Sequence, residues 1–153
     1  MVCVLVVLVV TLLTAGQPIA TDLYLGSLQA IRNEYGAPVG VVQLTLSLVV
    51  LSFGLSQLVW GPAADRFGRR RVVIAGLVLY GGGALAGALA PAIEVLIMAR
   101  IAQGLGVAAA MVGGRAMVRD LYEPIEGTHV LAVAMTALAG MTMVIPIVGA
   151  LLA

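Results

Sequence analysis

The sequence predicts an all-α integral membrane protein, one unit over residues 1–153, and three observations carry that reading. Hydrophobic residues fill 62% of the 153 positions and charged residues only 10%. A soluble domain carries about 25% charged residues, so this chain lacks the ionic side chains to coat a water-facing surface. The apolar residues fall into stretches near the ~20 residues a helix needs to cross the hydrocarbon core. They also run continuously instead of alternating with polar ones, as the strands of a membrane β-barrel require.

The same composition excludes a disordered chain, which would need low hydrophobicity. Eight arginines and no lysine stand against seven acids, for a formal net charge of +1. That balance offers no basic surface to a nucleic acid. The single cysteine, Cys3, cannot close an internal disulfide and fits no metal-ligand spacing. No hydrolase or transferase constellation is present, nor a glycine-rich phosphate loop followed by lysine. The expectation is therefore a protein that is not an enzyme, uses no cofactor or metal, and has the lipid bilayer as its first partner.

Five apolar segments follow in order. The first runs from Val2 to about Tyr24; it has no basic leading region and is too long for the core of a signal peptide, so it reads as a spanning helix. The second covers Val39 to about Ala64, the third Val72 to Ala90, the fourth about Ile93 to Val118, and the fifth Thr128 to Ala153. Polar connections lie between them at Arg32–Pro38, Asp65–Arg71, a short turn at Pro91, and Arg119–Gly127. Pro38, Pro91 and Pro124 stand at or beside helix starts, where a missing N–H costs little.

Arginine placement sets the expected orientation. Arg66, Arg69, Arg70 and Arg71 follow the second segment and Arg115 and Arg119 close the fourth, whereas the alternate connections hold only Arg32. Six against one places those two connections, and the N-terminus, in the cytoplasm. Five helices would leave the last residues outside, in an inner cell membrane. The sequence stops at Leu151-Leu152-Ala153 without a polar flank, which reads as a truncated chain or one part of a larger assembly.

Glycines 76, 81, 82, 83, 87, 104, 106, 113 and 114 crowd the third and fourth segments. Small residues let helix backbones approach closely in lipid, and Gly83-x-x-x-Gly87 has the small-xxx-small spacing. Packing that slides during a conformational cycle and packing alone both fit. Gln43, Thr45, Ser47, Ser52 and Gln57 give the second segment scattered polarity, directed either to a cavity or to backbone within the bundle. Glu94 and His129, at helix entrances, are expected to face water, and Tyr24 reads as an interface anchor.

The richest stretch is Gly61-Pro62-Ala63-Ala64-Asp65-Arg66-Phe67-Gly68-Arg69-Arg70-Arg71. Gly61 would permit close approach, and Gly68 can take the positive φ of a sharp reversal. Asp65 can pair with an arginine or face a helix N-terminus. Within the fourth segment Arg100 lies about six residues from the start, hence ~9 Å along the axis at 1.5 Å per residue. An arginine at mid-membrane costs ~2.5–3.5 kcal/mol on insertion scales, unless it snorkels to the interface. The sharper alternative pairs it with an acid in a cavity, with Gln103 one turn on. Asp22, the one acid of the first segment, sits about as far from the outer end; it is either an interfacial residue or a carboxyl that binds a proton when desolvated.

Gly61 through Arg70 resembles the signature loop between helices 2 and 3 of the major facilitator superfamily, G-x-L-a-D-r-x-G-r-r, with Ala63 where leucine is usual. Leu96-x-x-x-Arg100-x-x-Gln103-Gly104-x-Gly106 is similar to that family's helix 4 motif. Gly140…Pro146-x-x-Gly149-Ala150 resembles the helix 5 motif of its antiporters, with Ile145 and Ala150 where glycines are expected. Ala20-Thr21-Asp22-Leu23-Tyr24-Leu25 and Arg115-Ala116-Met117-Val118-Arg119-Asp120-Leu121-Tyr122 resemble the drug:proton antiporters of the bicyclomycin-resistance (Bcr/CflA) branch.

The resemblance implies two six-helix halves rocking about a central cavity, of which this chain would supply helices 1 to 5. It also implies that Arg100 takes part in proton coupling, and that the loop around Asp65 contacts a C-terminal half not contained in this chain. The expected function is proton-coupled efflux of small hydrophobic drugs or metabolites, by a protein inactive without its other half. A facilitator or symporter of another small solute, or a five-helix scaffold with no transport cycle, are the alternatives.

Overall fold

The computed structural model describes residues 8–14 and 28–152, and every regular element among them is helical. We label residues 8–14 α1; a further helical stretch covers 28–35. Four long helices follow: α2 (Val39–Phe67), α3 (Arg69–Ala88), α4 (Ile93–Leu121) and α5 (Pro124–Leu152). Helices α2, α3 and α4 are each long and apolar enough to cross a membrane. Asp22 and the surrounding Ala20–Leu25 motif lie outside the described residues, as does most of the first apolar segment.

The helices overrun the apolar segments at several ends. Helix α2 continues through Asp65 and Arg66 to Phe67, and α3 begins at Arg69, so the expected connection Asp65–Arg71 shrinks to Gly68. Likewise α4 extends past Val118 to Leu121, and α5 starts at Pro124 instead of Thr128. The physical reason is that hydropathy marks only what must sit in hydrocarbon. Backbone hydrogen bonding carries on through a polar turn in the interface, and a proline at the first helical position fits without a lost bond.

Helix α4 is the core of the bundle: α2 and α3 each pack along it far more than against one another, and α5 lies against it near its end. Its residues Val107–Ala110 are all buried. The seam with α3 is built of glycine. A Cβ added to Gly76 would stand 2.6 Å from Ala109 Cβ and 2.7 Å from the Gly106 carbonyl oxygen. One added to Gly106 would stand 2.5 Å from the Tyr80 nitrogen and 2.6 Å from the Gly76 carbonyl oxygen. These reciprocal contacts bring two backbones together where no larger residue fits. On the other side, Gly104 meets Ser52 and the Val49 carbonyl of α2.

The N-terminal helix closes the bundle. Leu13 packs with Val73 of α3 and Ala110 of α4, and Val10 packs with Val118 of α4 and with Val130 and Ala134 of α5. Side-chain bonds also tie distant elements together: the Trp60 indole donates to the Leu105 carbonyl at 3.0 Å, and the Tyr35 hydroxyl donates to the Ala90 carbonyl at 2.8 Å.

Not every glycine serves packing. Gly81, Gly82 and Gly61 have open space around the Cβ position among the described residues. For Gly61 this differs from the close approach expected of it. The seam makes a prediction: Gly106→Ala should lower unfolding stability in detergent by about 1–3 kcal/mol through overpacking. Gly81→Ala should leave it unchanged or raise it by up to about 1 kcal/mol, since alanine is the better helix former.

Candidate functional site

The candidate site has two parts, one inside α4 and one where α2 turns into α3. Arg100 falls on the second turn of α4, half-buried, and its Nη1 donates to Oε1 of Gln103 at 2.9 Å. Gln103 is itself buried, 8% exposed, because α3 offers no side chain opposite it. A Cβ at Gly83 would lie 3.0 Å from Gln103 Cγ and 2.9 Å from the Ala99 carbonyl. Glycine at 83 thus makes room for the amide that holds the guanidinium. A charge-assisted bond of this kind is among the stronger ones a side chain can make, and it offsets part of the cost of keeping an arginine away from water. The other half of the expected pair, Asp22, is outside the described residues.

The α2–α3 turn centres on Gly68, whose φ of 91° is open to glycine and strained for any residue with a Cβ. Its N–H donates to the Ala64 carbonyl at 3.1 Å, closing α2, and its carbonyl accepts from Val72, opening α3. The reversal therefore needs no extra loop residue. It places Asp65 and Arg69 four positions apart, and their side chains form an ion pair. Arg69 also reaches across to α4, where its Nε donates to Asp120 Oδ2 at 3.0 Å. One guanidinium so ties the end of α2, the start of α3 and the end of α4 together.

Arg66 and Arg70, grouped with Arg69 by sequence, behave differently. Both are exposed, and the Arg66 guanidinium lies 5.6 Å from the centroid of the Phe67 ring. Beside the Arg69 junction opens a cavity of about 660 Å³, lined among others by Gly61, Asp65, Arg69, Arg115, Arg119 and Leu131. Gly61 borders this space instead of a neighbouring helix.

The remaining polar residues are mostly spent locally. Thr45 donates to the Val42 carbonyl, Ser47 to Gln43, Ser52 to Val49 and Ser56 to Phe53. Thr14 of α1 bonds the Val10 and Thr11 carbonyls. Such bonds satisfy hydroxyls within their own helix, which favours the bundle reading of the α2 polarity. Glu94 and His129 are exposed at their helix entrances. Of the helix 5 motif, Gly140, Pro146 and Gly149 all fall within α5, and Gly140 is exposed.

Sequence reasoning missed Asp120 as the partner of Arg69, and Trp60 as a link to α4. The first had a usable signal, since α3 begins and α4 ends on the same side of an antiparallel hairpin. Among the described residues no group of three or more histidine, cysteine or acidic side chains could hold a metal.

Comparison with known proteins adds a family. Residues 10–153 match the family described as Major Facilitator Superfamily. Multidrug resistance protein D of Escherichia coli is 30% identical over 148 residues, 97% of this chain and 37% of that protein. A chloramphenicol resistance protein of Pseudomonas aeruginosa is 35% identical over 131 residues, 86% of this chain and 30% of that protein. An uncharacterized transporter of Rickettsia bellii is 37% identical over 115 residues, 75% and 28% respectively. The chain thus spans about a third of the length of these relatives.

The turn gives a second stability prediction. Gly68→Ala should cost about 1–3 kcal/mol, the usual penalty for a side chain in a backbone region reserved for glycine. Gly61→Ala should stay within about 1 kcal/mol of the parent, both read from reversible unfolding in mixed detergent micelles.

Proposed function

This chain belongs to the major facilitator superfamily and is a multi-pass membrane protein, and from that premise we propose that it forms part of a proton-coupled drug efflux transporter. It supplies helices 1 to 5 of the N-terminal six-helix half, in the bicyclomycin-resistance (Bcr/CflA) branch, and works only beside a C-terminal half. Relatives named for multidrug and chloramphenicol resistance support the drug-efflux reading. The substrate is a small hydrophobic molecule, and the site is the inner membrane with the N-terminus in the cytoplasm, following the six-to-one arginine bias.

The observation that carries the coupling is Arg100 held by buried Gln103 inside α4. An anchored cation within an apolar helix favours the charged form of any carboxylate brought near it, while burial of that carboxylate favours the neutral form. Asp22 is the acid we assign to this balance. A proton arriving from outside neutralises Asp22, the attraction to Arg100 lapses, and substrate is released; loss of the proton inside restores it. Asp65, Arg66, Gly68, Arg69 and Arg70 form the hinge region that meets the C-terminal half. Gly140, Pro146 and Gly149 of α5 resemble the antiporter motif, which supports exchange over leak.

The reading is tested by joining this chain to its C-terminal half and measuring drug accumulation in cells, with and without an uncoupler. Low accumulation that rises on uncoupling is expected, and Arg100→Ala should remove the uncoupler-sensitive part. Accumulation indifferent to the uncoupler would point to a facilitator instead.

A further inference from the structure

The cavity of about 660 Å³ beside the Arg69 junction lies where the end of α2, the end of α4 and the start of α5 meet. Its volume is within the ~300–1,000 Å³ that small-molecule sites occupy. Val112, Ala116 and Leu131 give it apolar walls. The charges on its lining do not balance. Asp65 and Arg69 pair with each other, and Arg69 also holds Asp120. Arg115 and Arg119 line the same space and make no ion pair among the described residues.

These two arginines stand four positions apart in α4, hence on one face and about one 5.4 Å turn from each other. Arg119 is in the last turn of α4, where a cation also complements the helix dipole; Arg115 is a turn earlier, beyond the reach of that effect. The first turn of α5 borders the cavity through Pro124, Gly127 and Thr128, and the N-terminal end of a helix favours negative charge. The Thr128 hydroxyl donates to the Pro124 carbonyl, so it has no donor to spare for a ligand. Guanidinium groups suit a carboxylate or a phosphate, and the apolar walls suit hydrocarbon or an aromatic ring. A molecule with an apolar body and one anionic head meets both demands.

We propose that this cavity binds an amphipathic organic anion, its head held by Arg115 and Arg119 and its apolar body lodged against Val112, Ala116 and Leu131. Identifying that anion as the exported substrate rests on the efflux reading, whereas the binding does not. It narrows the substrate from a small hydrophobic molecule to one that also carries negative charge. Asp65 and Arg69, assigned above to the contact with the C-terminal half, form part of the wall, but the charges that select the ligand belong to α4.

The test uses three probes that share one apolar body and differ in charge: naphthoate, neutral naphthamide and cationic naphthylmethylamine. Binding of tritiated naphthoate to the 153-residue chain is measured by scintillation proximity in an uncharged maltoside detergent, with the other two as competitors. Naphthoate is expected to bind about tenfold more tightly than naphthamide, the factor that one hydrogen bond to a charged group supplies, and the amine not to compete. Arg115→Gln/Arg119→Gln should bring naphthoate down to the level of naphthamide, and Arg115→Lys/Arg119→Lys should keep most of the preference. Arg32→Gln/Arg71→Gln, which removes the same net charge away from the cavity, should leave it intact. Equal binding of naphthoate and naphthamide by the unmodified chain overturns the proposal without recourse to any variant. So does displacement of naphthoate by an equal concentration of inorganic phosphate, which would show that the apolar walls take no part. The same binding must persist when the chain is joined to its C-terminal half; its loss there would mean that the other half fills the cavity. No proton gradient enters these measurements, so a failure of drug efflux and a failure of anion binding are read separately.

Discussion

The close approach of α3 to α4 is the constraint from which the rest of the arrangement follows. Gly76 and Gly106 lie against each other's backbone, with Ala109 beside them and Gly83 one step further along. Lipid supplies no hydrophobic drive for helices to associate, because the tails are as apolar as the side chains. Contact must come from dispersion between surfaces that fit, and small residues give the largest area of fit. With α3 fixed this way, α4 has one face left for α2, where Gly104 receives Ser52, and one for α1 and α5.

That packing also positions the charges. Gln103 is buried because Gly83 leaves room for it, and its amide oxygen accepts a bond from the half-buried Arg100 guanidinium. At the opposite end of α4, Asp120 arrives beside Arg69 because α3 and α4 are held in register by the same seam. The hydroxyls between these ends bond to their own helices, so the bundle interior carries little other polarity to compete for the two arginines. Arg69 is therefore a structural junction, whereas its neighbours Arg66, Arg70 and Arg71 are exposed.

Much of this was legible in the residues. Apolar run length marked four helices to within a few residues, and the one reversal that needed glycine was marked by Gly68 between Phe67 and Arg69. What was not legible depended on which side of a helix each residue takes. Gly61 and Gly76 look alike in sequence, yet one borders a cavity and the other is pressed against Ala109. Several helix ends were read short because charged turns such as Asp65–Phe67 are helical without being apolar, whereas the end of α3, expected at Ala90, falls at Ala88. The pairing of Arg69 with Asp120 spans 51 positions, and a pattern read along the chain carries no information on which acid a given arginine meets. Asp22 lies outside the described residues.

The seam itself is open to direct measurement. Chain labelled with carbon-13 at glycine Cα and alanine Cβ, in lipid bilayers, should give a solid-state NMR cross-peak between Gly76 Cα and Ala109 Cβ, assigned by its loss in Ala109→Ser. A cross-peak is the result this account requires. Its absence in a sample whose other helical contacts are present would mean that α3 and α4 stand apart, and the placement of Gln103, Arg100 and Asp120 would lose its cause.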